Sequence, residues 1–431
     1  MMNRDVPSSY PAQADRVLSA VRGAETAVHR GCPADRYLAE LFRANRAFGS
    51  KTRRLISDTV FSWFRWRGWL YSNESAIAAT DVALAHALDA NDIHPLMAFM
   101  ADETPLAPWG SLDLNDKAAG LSRATKRTST PTPELLAPSW AVEHMAIPES
   151  EEREHFVDAL LASCQHRPPT WLRFRRPERE IGLRTLRDLD YEPEIHSDLP
   201  DAAQVAAPLS RAHIDHVSPF LAIQDLASQC VGLIADPHPK ESWWDVCAGA
   251  GGKTLHLADL MKYEGRILAT EPREDAVREL KRRALCQKAQ APLKVIPSDA
   301  REVKMDSLFD GVLIDAPCSG MGTWSRAPDA RWRMPYERVT ELIALQFELL
   351  RHASRAVRDG GTLIYAVCTL TSEETVSQVR AFEEAHPDFI PQSFIHPLTR
   401  KECRGSAWIL PWHGPCGAMF VAKWRRKTFN A

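Results

Sequence analysis

The chain lacks the features that mark several protein classes. Its 431 residues contain no CxxC pair, and the nine cysteines are odd in number and widely scattered. A disulfide framework or a zinc ribbon is therefore not expected. No apolar run is long enough to span a bilayer, and the polar segment Met1 to Gln13 has no apolar core of the kind found in signal peptides. We therefore expect a monomer in the reducing cytoplasm, with no membrane contact and no metal.

The chain also has no excess of charge of one sign. It carries 53 basic and 56 acidic residues, for a formal net charge of −3. This balance excludes a uniformly basic nucleic-acid coat but allows a local basic surface. The apolar and charged fractions, 45% and 25%, are typical of globular proteins, and the length predicts more than one domain.

Three stretches with different patterns follow one another along the chain. Residues 1–135 hold four apolar stripes at helical spacing, which predict an all-α domain that ends in a Pro-, Ser- and Thr-rich linker from Thr104 to Pro138. Residues 136–217 predict a small α+β module with a strand at Thr170–Phe174. In residues 218–431, short apolar runs alternate with helical stretches, a pattern that favours a mostly parallel, doubly wound α/β sheet.

The C-terminal pattern also predicts where a ligand binds. The strand candidates are Trp243–Val246, Arg266–Thr270, Leu293–Ile296, Gly311–Ile314 and Thr362–Val367. Ligands of doubly wound sheets bind at the carboxyl ends of the strands. We therefore expect functional residues just after each strand.

Basic residues cluster in the first two stretches. Such a run is most often a solvated helix face, but the nearby Trp63, Trp66 and Trp69 favour RNA, because arginine and aromatic side chains suit phosphates and bases. The candidate RNA-binding residues are Arg36, Arg43, Arg46, Arg53, Arg54, Arg173 and Arg175.

A glycine-rich segment, Asp245-Val-Cys-Ala-Gly-Ala-Gly-Gly-Lys-Thr254, follows the first C-terminal strand. Such a loop lets a ligand approach the backbone. A P-loop is excluded because Cys247 stands where its first glycine belongs, and the dinucleotide motif fails because Thr254 stands at its third glycine. The glycine turn of a class I S-adenosylmethionine (SAM) methyltransferase remains, although a simple tight turn is the alternative.

Two acidic residues at the next strand ends support a nucleoside site. Glu271 closes the second strand about 20 residues after the glycines, where an acid binds a ribose diol. Asp299 follows the third strand, where it can accept a hydrogen bond from an adenine amino group. The two acids and the loop suit SAM or a nucleotide.

Two cysteines also follow strands. Cys318 lies in Asp315-Ala-Pro-Cys-Ser-Gly-Met-Gly322 and Cys368 in Tyr365-Ala-Val-Cys-Thr-Leu370. A methyltransferase needs a thiol when its target is the C5 carbon of a pyrimidine, because a thiolate added at C6 makes C5 nucleophilic. Asp315 is placed to hydrogen-bond the pyrimidine on its N3 side and stabilise the adduct.

These motifs resemble the Sun/RsmB-type family of RNA (cytosine-5) methyltransferases. The resemblance covers about Ser218 to the C-terminus and is more distant for an N-terminal NusB-like domain and a middle RRM-like module. It implies that Cys368 is the nucleophile and that Cys318 assists product release or proton removal. It also implies a set of SAM contacts: Cys247, Ala248, Gly249, Ala250, Gly251, Gly252, Lys253, Glu271, Asp299 and Asp315.

Two segments depart from the family pattern. The glycine loop has Ala-Gly-Ala where many members have Ala-Ala-Pro, and His413-Gly-Pro-Cys-Gly-Ala-Met-Phe420 replaces an Asp-Gly-Phe-Phe pattern. We expect a SAM-dependent enzyme that forms 5-methylcytosine in ribosomal RNA, with small-subunit 16S rRNA favoured. The alternatives are a tRNA cytosine-5 methyltransferase, a SAM enzyme for DNA or a small molecule, and a non-catalytic RNA-binding or ribosome assembly factor.

Overall fold

A computed structural model of the chain describes residues 7–71, 76–149, 151–287, 293–305 and 307–428. The chain forms two compact units. One comprises Met1–Arg167 with Thr323–Tyr336, and the other comprises Pro168–Gly322 with Glu337–Ala431. The predicted division into domains 1–135, 136–217 and 218–431 stays a prediction, and the predicted middle module is split between the two units.

The first unit is helical. Its helices are α1 (Tyr10–His29), α2 (Ala34–Ala44), α3 (Ser50–Leu70), α4 (Ala79–Asp89), α5 (Pro95–Met100), α6 (Leu114–Thr125), α7 (Ser139–Glu143), α8 (Arg153–Cys164) and a short helix, Ala330–Arg333, from the returning segment. The four predicted apolar stripes lie on α1 to α4. Their apolar residues form one core that includes Val21, Leu38, Val60 and Leu88.

The tryptophans of α3 belong to this core. Trp63, Trp66 and Trp69 are buried, and their indole N–H groups donate to Glu25, to Asp89 and to the backbone oxygen of Thr132. Buried indoles that already donate internally cannot stack on bases. The interpretation of these side chains as part of an RNA surface is therefore wrong.

The predicted linker from Thr104 to Pro138 is also wrong, because it contains helix α6. Asp113 caps this helix by accepting a hydrogen bond from the Asp116 N–H at 2.8 Å. Leu121 is buried, and Lys117 donates to backbone oxygens of Leu88 and Gly110. The polar composition of the segment predicts a loop, but tertiary packing stabilises a helix there.

The second unit begins with a small α+β part. Its elements are β1 (Thr170–Phe174), α9 (Arg179–Asp188), β2 (Glu194–Ile195), β3 (Ala202–Val205), α10 (Arg211–Val217) and β4 (Leu221–Ile223). The strands form an antiparallel sheet in the order β2-β3-β1-β4, which is the ferredoxin-like arrangement. One face of the sheet packs on Leu183 and Leu186 of α9. The other face, which includes Trp171 and Ala202, packs on the next helix along the chain, Leu226–Ala235.

The rest of the second unit is an α/β domain. Its strands are β5 (Ser242–Asp245), β6 (Arg266–Thr270), β7 (Leu293–Ile296), β8 (Phe309–Asp315), β9 (Val357–Val367), β10 (Phe389–Pro391), β11 (Ser393–Ile395), β12 (Glu402–Arg404), β13 (Ser406–Ile409) and β14 (Met419–Arg426). Its helices are α11 (Leu226–Ala235), α12 (Gly252–Leu260), α13 (Glu274–Cys286), α15 (Tyr336–Ala353) and α16 (Val376–Ala385), with α14 being the short helix Ala330–Arg333.

The main sheet has the order β10-β14-β9-β8-β5-β6-β7, with β13 paired to β14. Strands β7, β6, β5, β8 and β9 run parallel, while β14 is antiparallel to β9. All five predicted strands form in this parallel part, so the predicted doubly wound α/β fold is confirmed. The strand order reverses between β5 and β8, which places the expected ligand crevice at the carboxyl ends of these strands.

Candidate active site

A cavity of about 560 Å³ opens at the carboxyl ends of the parallel strands. Its lining contains nine of the predicted SAM contacts: Cys247, Ala248, Gly249, Ala250, Gly252, Lys253, Glu271, Asp299 and Asp315. Leu342, Leu345 and Leu349 of α15 add an apolar wall, which the sequence did not reveal as part of the site. An apolar wall facing convergent polar groups is typical of a cofactor pocket.

The glycine loop joins β5 to α12 in a conformation that needs glycine. Gly249 has φ of 54° and Gly251 has φ of 83°, values in the left-handed region that favours glycine. Gly251 precedes α12 as its cap residue, and a Cβ there would lie 2.8 Å from Leu280. The backbone N–H of Gly249 donates to Glu271 at 2.9 Å, so the loop and the end of β6 are held together.

Each of the two predicted nucleoside-binding acids is bound by an arginine two residues later. Arg273 donates to Glu271 at 2.8 Å, and Arg301 donates to Asp299 at 2.7 Å. Burial raises the pKa of Glu271, but the hydrogen bonds and charge of Arg273 outweigh it and the net pKa is lowered. The hydrogen bond from Arg301 likewise lowers the pKa of Asp299. Both acids are therefore held as carboxylates, the form that accepts from hydroxyl and amino groups.

A third acid, Asp245, lies beneath the loop and was not singled out from the sequence as a site residue. Its side chain is fully buried and accepts a hydrogen bond from Thr254 Oγ1 at 2.6 Å, while its second carboxylate oxygen has no hydrogen-bond partner among the described residues. Burial raises the pKa of Asp245 to about 7. Its position at the end of the first strand was the available signal.

Lys253 and Asp315 form an ion pair between the glycine loop and the end of β8. The Lys253 ammonium lies 2.7 Å from an Asp315 carboxylate oxygen. Burial alone would lower the pKa of Lys253, but the neighbouring Asp315 carboxylate raises it overall. The lysine therefore remains a cation at the edge of the cavity.

The two predicted catalytic cysteines meet beyond this ion pair. The sulfur atoms of Cys318 and Cys368 lie 3.3 Å apart, and both side chains are partly exposed. A hydrogen bond from the Cys318 thiol lowers the pKa of Cys368, and the Lys253 charge acts in the same direction. The reciprocal effect of Cys368 raises the pKa of Cys318. Cys368 is therefore the thiol that forms a thiolate more readily, as a nucleophile must.

The C-terminal segment His413–Phe420, which differs from the family pattern, contacts the loop that contains Cys318. The Gly322 N–H donates to the Cys368 backbone oxygen, and the Ala418 N–H donates to the Gly322 oxygen, both at 3.0 Å. The N–H of Gly417 donates to the Asp225 carboxylate, with the shorter distance at 3.1 Å. A Cβ on Gly322 would lie 1.9 Å from the Ala418 oxygen. The lack of a side chain at Gly322 therefore permits this backbone contact with Ala418.

Glu374 is a further buried residue that sequence reasoning missed. It accepts hydrogen bonds from the backbone N–H of Ser319, next to Cys318, and from the hydroxyl of Thr371, both at 2.8 Å. The only sequence signal was an acid among the hydroxyl residues that follow Cys368.

The predicted RNA-binding arginines fall into two groups. Arg36, Arg43, Arg46 and Arg54 are exposed, whereas Arg53 is half-buried and donates to the backbone oxygen of Phe48. Arg36 and Arg54 each face an acid one helical turn away. An RNA role for these residues stays a prediction.

The interpretation of Arg173 and Arg175 as RNA contacts is not supported, because both guanidinium groups are buried. Arg173 is 1% exposed and pairs with Asp259 of α12 at 3.1 Å. Arg175 donates to the Tyr263 hydroxyl at 2.8 Å and to the Pro219 backbone oxygen at 2.7 Å. Both arginines join the small α+β part to the α/β domain, and neither offers its charge to a phosphate.

Membrane-spanning helices and metal clusters are both missing from the described ranges of the chain. Within those ranges, no helix is long and apolar enough to cross a membrane. Nor does that portion contain a group of three or more His, Cys, Asp or Glu side chains placed to hold a metal ion.

The chain is similar in sequence to known rRNA methyltransferases. Residues 232–425 match the family model described as 16S rRNA methyltransferase RsmB/F. Ribosomal RNA small subunit methyltransferase B of Sodalis glossinidius is 32% identical over 263 residues, which are 60% of this chain and 59% of that protein. The chain thus matches less than two thirds of this relative's length.

Solved structures support the fold. The crystal structure of PH0851 superposes with a TM-score of 0.71 at 23% identity, over 95% of this chain and 99% of that one. A methyltransferase homologue from Pyrococcus horikoshii superposes with a TM-score of 0.53 at 21% identity, over 63% and 90% of the two chains. These superpositions confirm the class I methyltransferase fold predicted from the motifs. Over residues 232–425, the C-terminal part of this chain is therefore similar to the RsmB/F methyltransferases.

Proposed function

We propose that the protein is a SAM-dependent RNA methyltransferase that forms 5-methylcytosine in ribosomal RNA, with 16S rRNA as the favoured substrate. The observation that carries this proposal is the pair of thiols 3.3 Å apart beside the Lys253–Asp315 ion pair. Methyl transfer to an amine or a hydroxyl needs no thiol. Methyl transfer to a pyrimidine C5 needs one to activate the ring.

The cavity suits SAM, which when bound supplies an electrophilic methyl group. The left-handed glycines keep the loop free of side chains where a nucleoside would approach. Glu271 would hold the ribose hydroxyls, and Asp299 the adenine amino group. The leucines of α15 would cover the apolar face of the base.

The two cysteines and the Lys253–Asp315 ion pair have separate roles in the reaction of the target base. The Cys368 thiolate forms a bond to cytosine C6, and the electron pair displaced from the C5–C6 double bond makes C5 nucleophilic. Asp315, held by Lys253, accepts a hydrogen bond on the N3 side of the ring, from the cytosine amino group, and stabilises the adduct. After C5 has taken the methyl group, a base removes the C5 proton and the C5–C6 double bond reforms as the Cys368 sulfur leaves. Cys318 assists this release.

The proposal is tested by offering the protein 16S rRNA, tRNA and DNA separately with isotopically labelled SAM, followed by mass spectrometry of the nucleosides. We expect labelled 5-methylcytosine from 16S rRNA and none from the Cys368→Ser variant, which still binds SAM. Cys286→Ser, at the end of α13, is the matched cysteine control and keeps activity. Label in tRNA or DNA alone would favour one of the other substrates, and absence of both SAM binding and methyl transfer would favour an assembly factor.

A further inference from the structure

Glu374 occupies a buried position between the two cysteine loops. Its side chain has no exposure to solvent. On the Cys318 side it accepts from both the backbone N–H and the hydroxyl of Ser319. On the Cys368 side it accepts from the hydroxyls of Thr369 at 3.3 Å and Thr371 at 2.8 Å. One carboxylate thus binds residues next to both thiols.

Further contacts fix this carboxylate to the fold. The Gln346 amide of α15 donates to Glu374 at 3.0 Å and also to the Pro317 backbone oxygen at 2.8 Å. The Tyr365 hydroxyl of β9 donates to the Glu374 backbone oxygen at 2.8 Å. The two residues that directly follow the cysteines, Ser319 and Thr369, have hydroxyl oxygens 2.6 Å apart. Donors from several segments therefore converge on one acceptor, and a fully satisfied buried network of this kind rigidifies its surroundings.

The charge of Glu374 does not explain its position. A hydrogen bond from Cys318 is the main cause that lowers the pKa of Cys368, whereas the negative charge of Glu374 acts in the opposite direction. A carboxylate placed to activate the nucleophile would be a poor choice here. The contribution that its contacts do support is geometric.

We propose that Glu374 is a positioning residue that holds the Cys318 and Cys368 loops together so that the two sulfur atoms can act on the same base. The role in catalysis rests on the proposed cysteine mechanism. The role in holding the sulfurs together does not, and it can be measured without RNA.

The test uses Glu374→Ala and Glu374→Gln in the full-length protein with two readouts. The first is the rate at which diamide, a two-electron oxidant that takes up the two thiol protons, links Cys318 to Cys368, quantified by peptide mass spectrometry. The second is the kcat and KM for RNA methylation. We expect cross-linking of Glu374→Ala to slow about tenfold and kcat to fall about 100-fold, since catalysis is sensitive to misplacements near 1 Å, with SAM affinity unchanged.

Glu383→Gln is the matched control, because Glu383 accepts from the Trp424 indole at 2.8 Å in the same unit but lies away from the thiols in sequence and contacts. It should keep both rates. If Glu374→Ala does not fold, Glu374→Gln decides, since it retains one oxygen acceptor and loses the other. The proposal is overturned if a folded Glu374 variant cross-links at the wild-type rate. It is also overturned if Glu383→Gln lowers kcat as much as the Glu374 variant does. A wild-type protein that makes no 5-methylcytosine overturns the proposed function alone, because the cross-linking readout still stands.

Discussion

Cys318 and Cys368 follow different strands, and their sulfur atoms lie 3.3 Å apart. The strands β8 and β9 are parallel neighbours, so the loops that follow them leave the sheet at the same edge. Ser319, Thr369 and Glu374 then join the two loops by hydrogen bonds. The contact between the two thiols makes them chemically unequal, and this inequality can be measured.

The first prediction concerns the thiolate of Cys368. Because the hydrogen bond with Cys318 lowers the pKa of Cys368 below the ordinary value, Cys318→Ala should raise that pKa. The rate of Cys368 alkylation by iodoacetamide, followed against pH, should therefore have a higher midpoint in the variant and be slower at neutral pH. A midpoint that stays in place or moves down would show that Cys318 does not donate to Cys368.

A second prediction concerns the cofactor. Glu271→Gln should weaken SAM binding about 10- to 100-fold, because hydrogen bonds to charged groups contribute roughly 1.5–3 kcal/mol. Calorimetric titration measures the change. The matched control is Glu274→Gln, whose carboxylate is exposed on α13 and should leave the affinity unchanged. Equal affinities in wild type and Glu271→Gln would remove Glu271 from the site.

Asp245 gives a prediction about stability against pH. Its pKa rises on folding from 3.8 to about 7, so the folded protein binds the proton more tightly than the unfolded chain. Its stabilising contribution is complete below about pH 4 and is lost as the pH rises through 7, by about 1.4 kcal/mol for each pH unit between the two pKa values. Relative to Asp245→Asn, the wild-type free energy of unfolding in urea should fall between pH 4 and pH 7. A difference independent of pH would contradict the raised pKa.

Gly322 tests the closure of the C-terminal segment. Gly322→Ala places a Cβ 1.9 Å from the Ala418 oxygen, so β14 or the Cys318 loop must move. We expect a loss of about 1–3 kcal/mol in unfolding free energy, together with reduced methylation. Gly49→Ala is the control, since a Cβ there meets no atom of the described residues within 4 Å. The Gly49→Ala variant should lose at most about 1 kcal/mol of unfolding free energy, because residue 49 is the cap residue before α3.

Much of the site followed from local sequence pattern. The places of Glu271, Cys318 and Cys368 could be predicted because each directly follows an apolar strand, and parallel strands bring their carboxyl ends to one edge. This prediction did not depend on the structure of the segments between the strands.

What could not be predicted depends on contacts between distant segments. Arg173 resembled a basic surface residue until Asp259, 86 residues later, proved to be its partner. Glu374 gained its partners from the loops after β8 and β9 and, through Gln346, from α15. Helix α6 forms in a segment of loop-like composition because its apolar face is buried. In each case burial, which single-sequence patterns do not reveal, decides the role.

The covalent adduct between Cys368 and RNA tests the central claim most directly. Cys318→Ala protein is incubated with SAM and 16S rRNA and then separated on a denaturing gel, with mass spectrometry of the RNA-linked peptide. We predict a slow-migrating RNA–protein band attached through Cys368, which forms slowly but accumulates because release is impaired, and which Cys318→Ala/Cys368→Ser lacks. No band from Cys318→Ala, or a band that persists in the double variant, would contradict the two-cysteine mechanism.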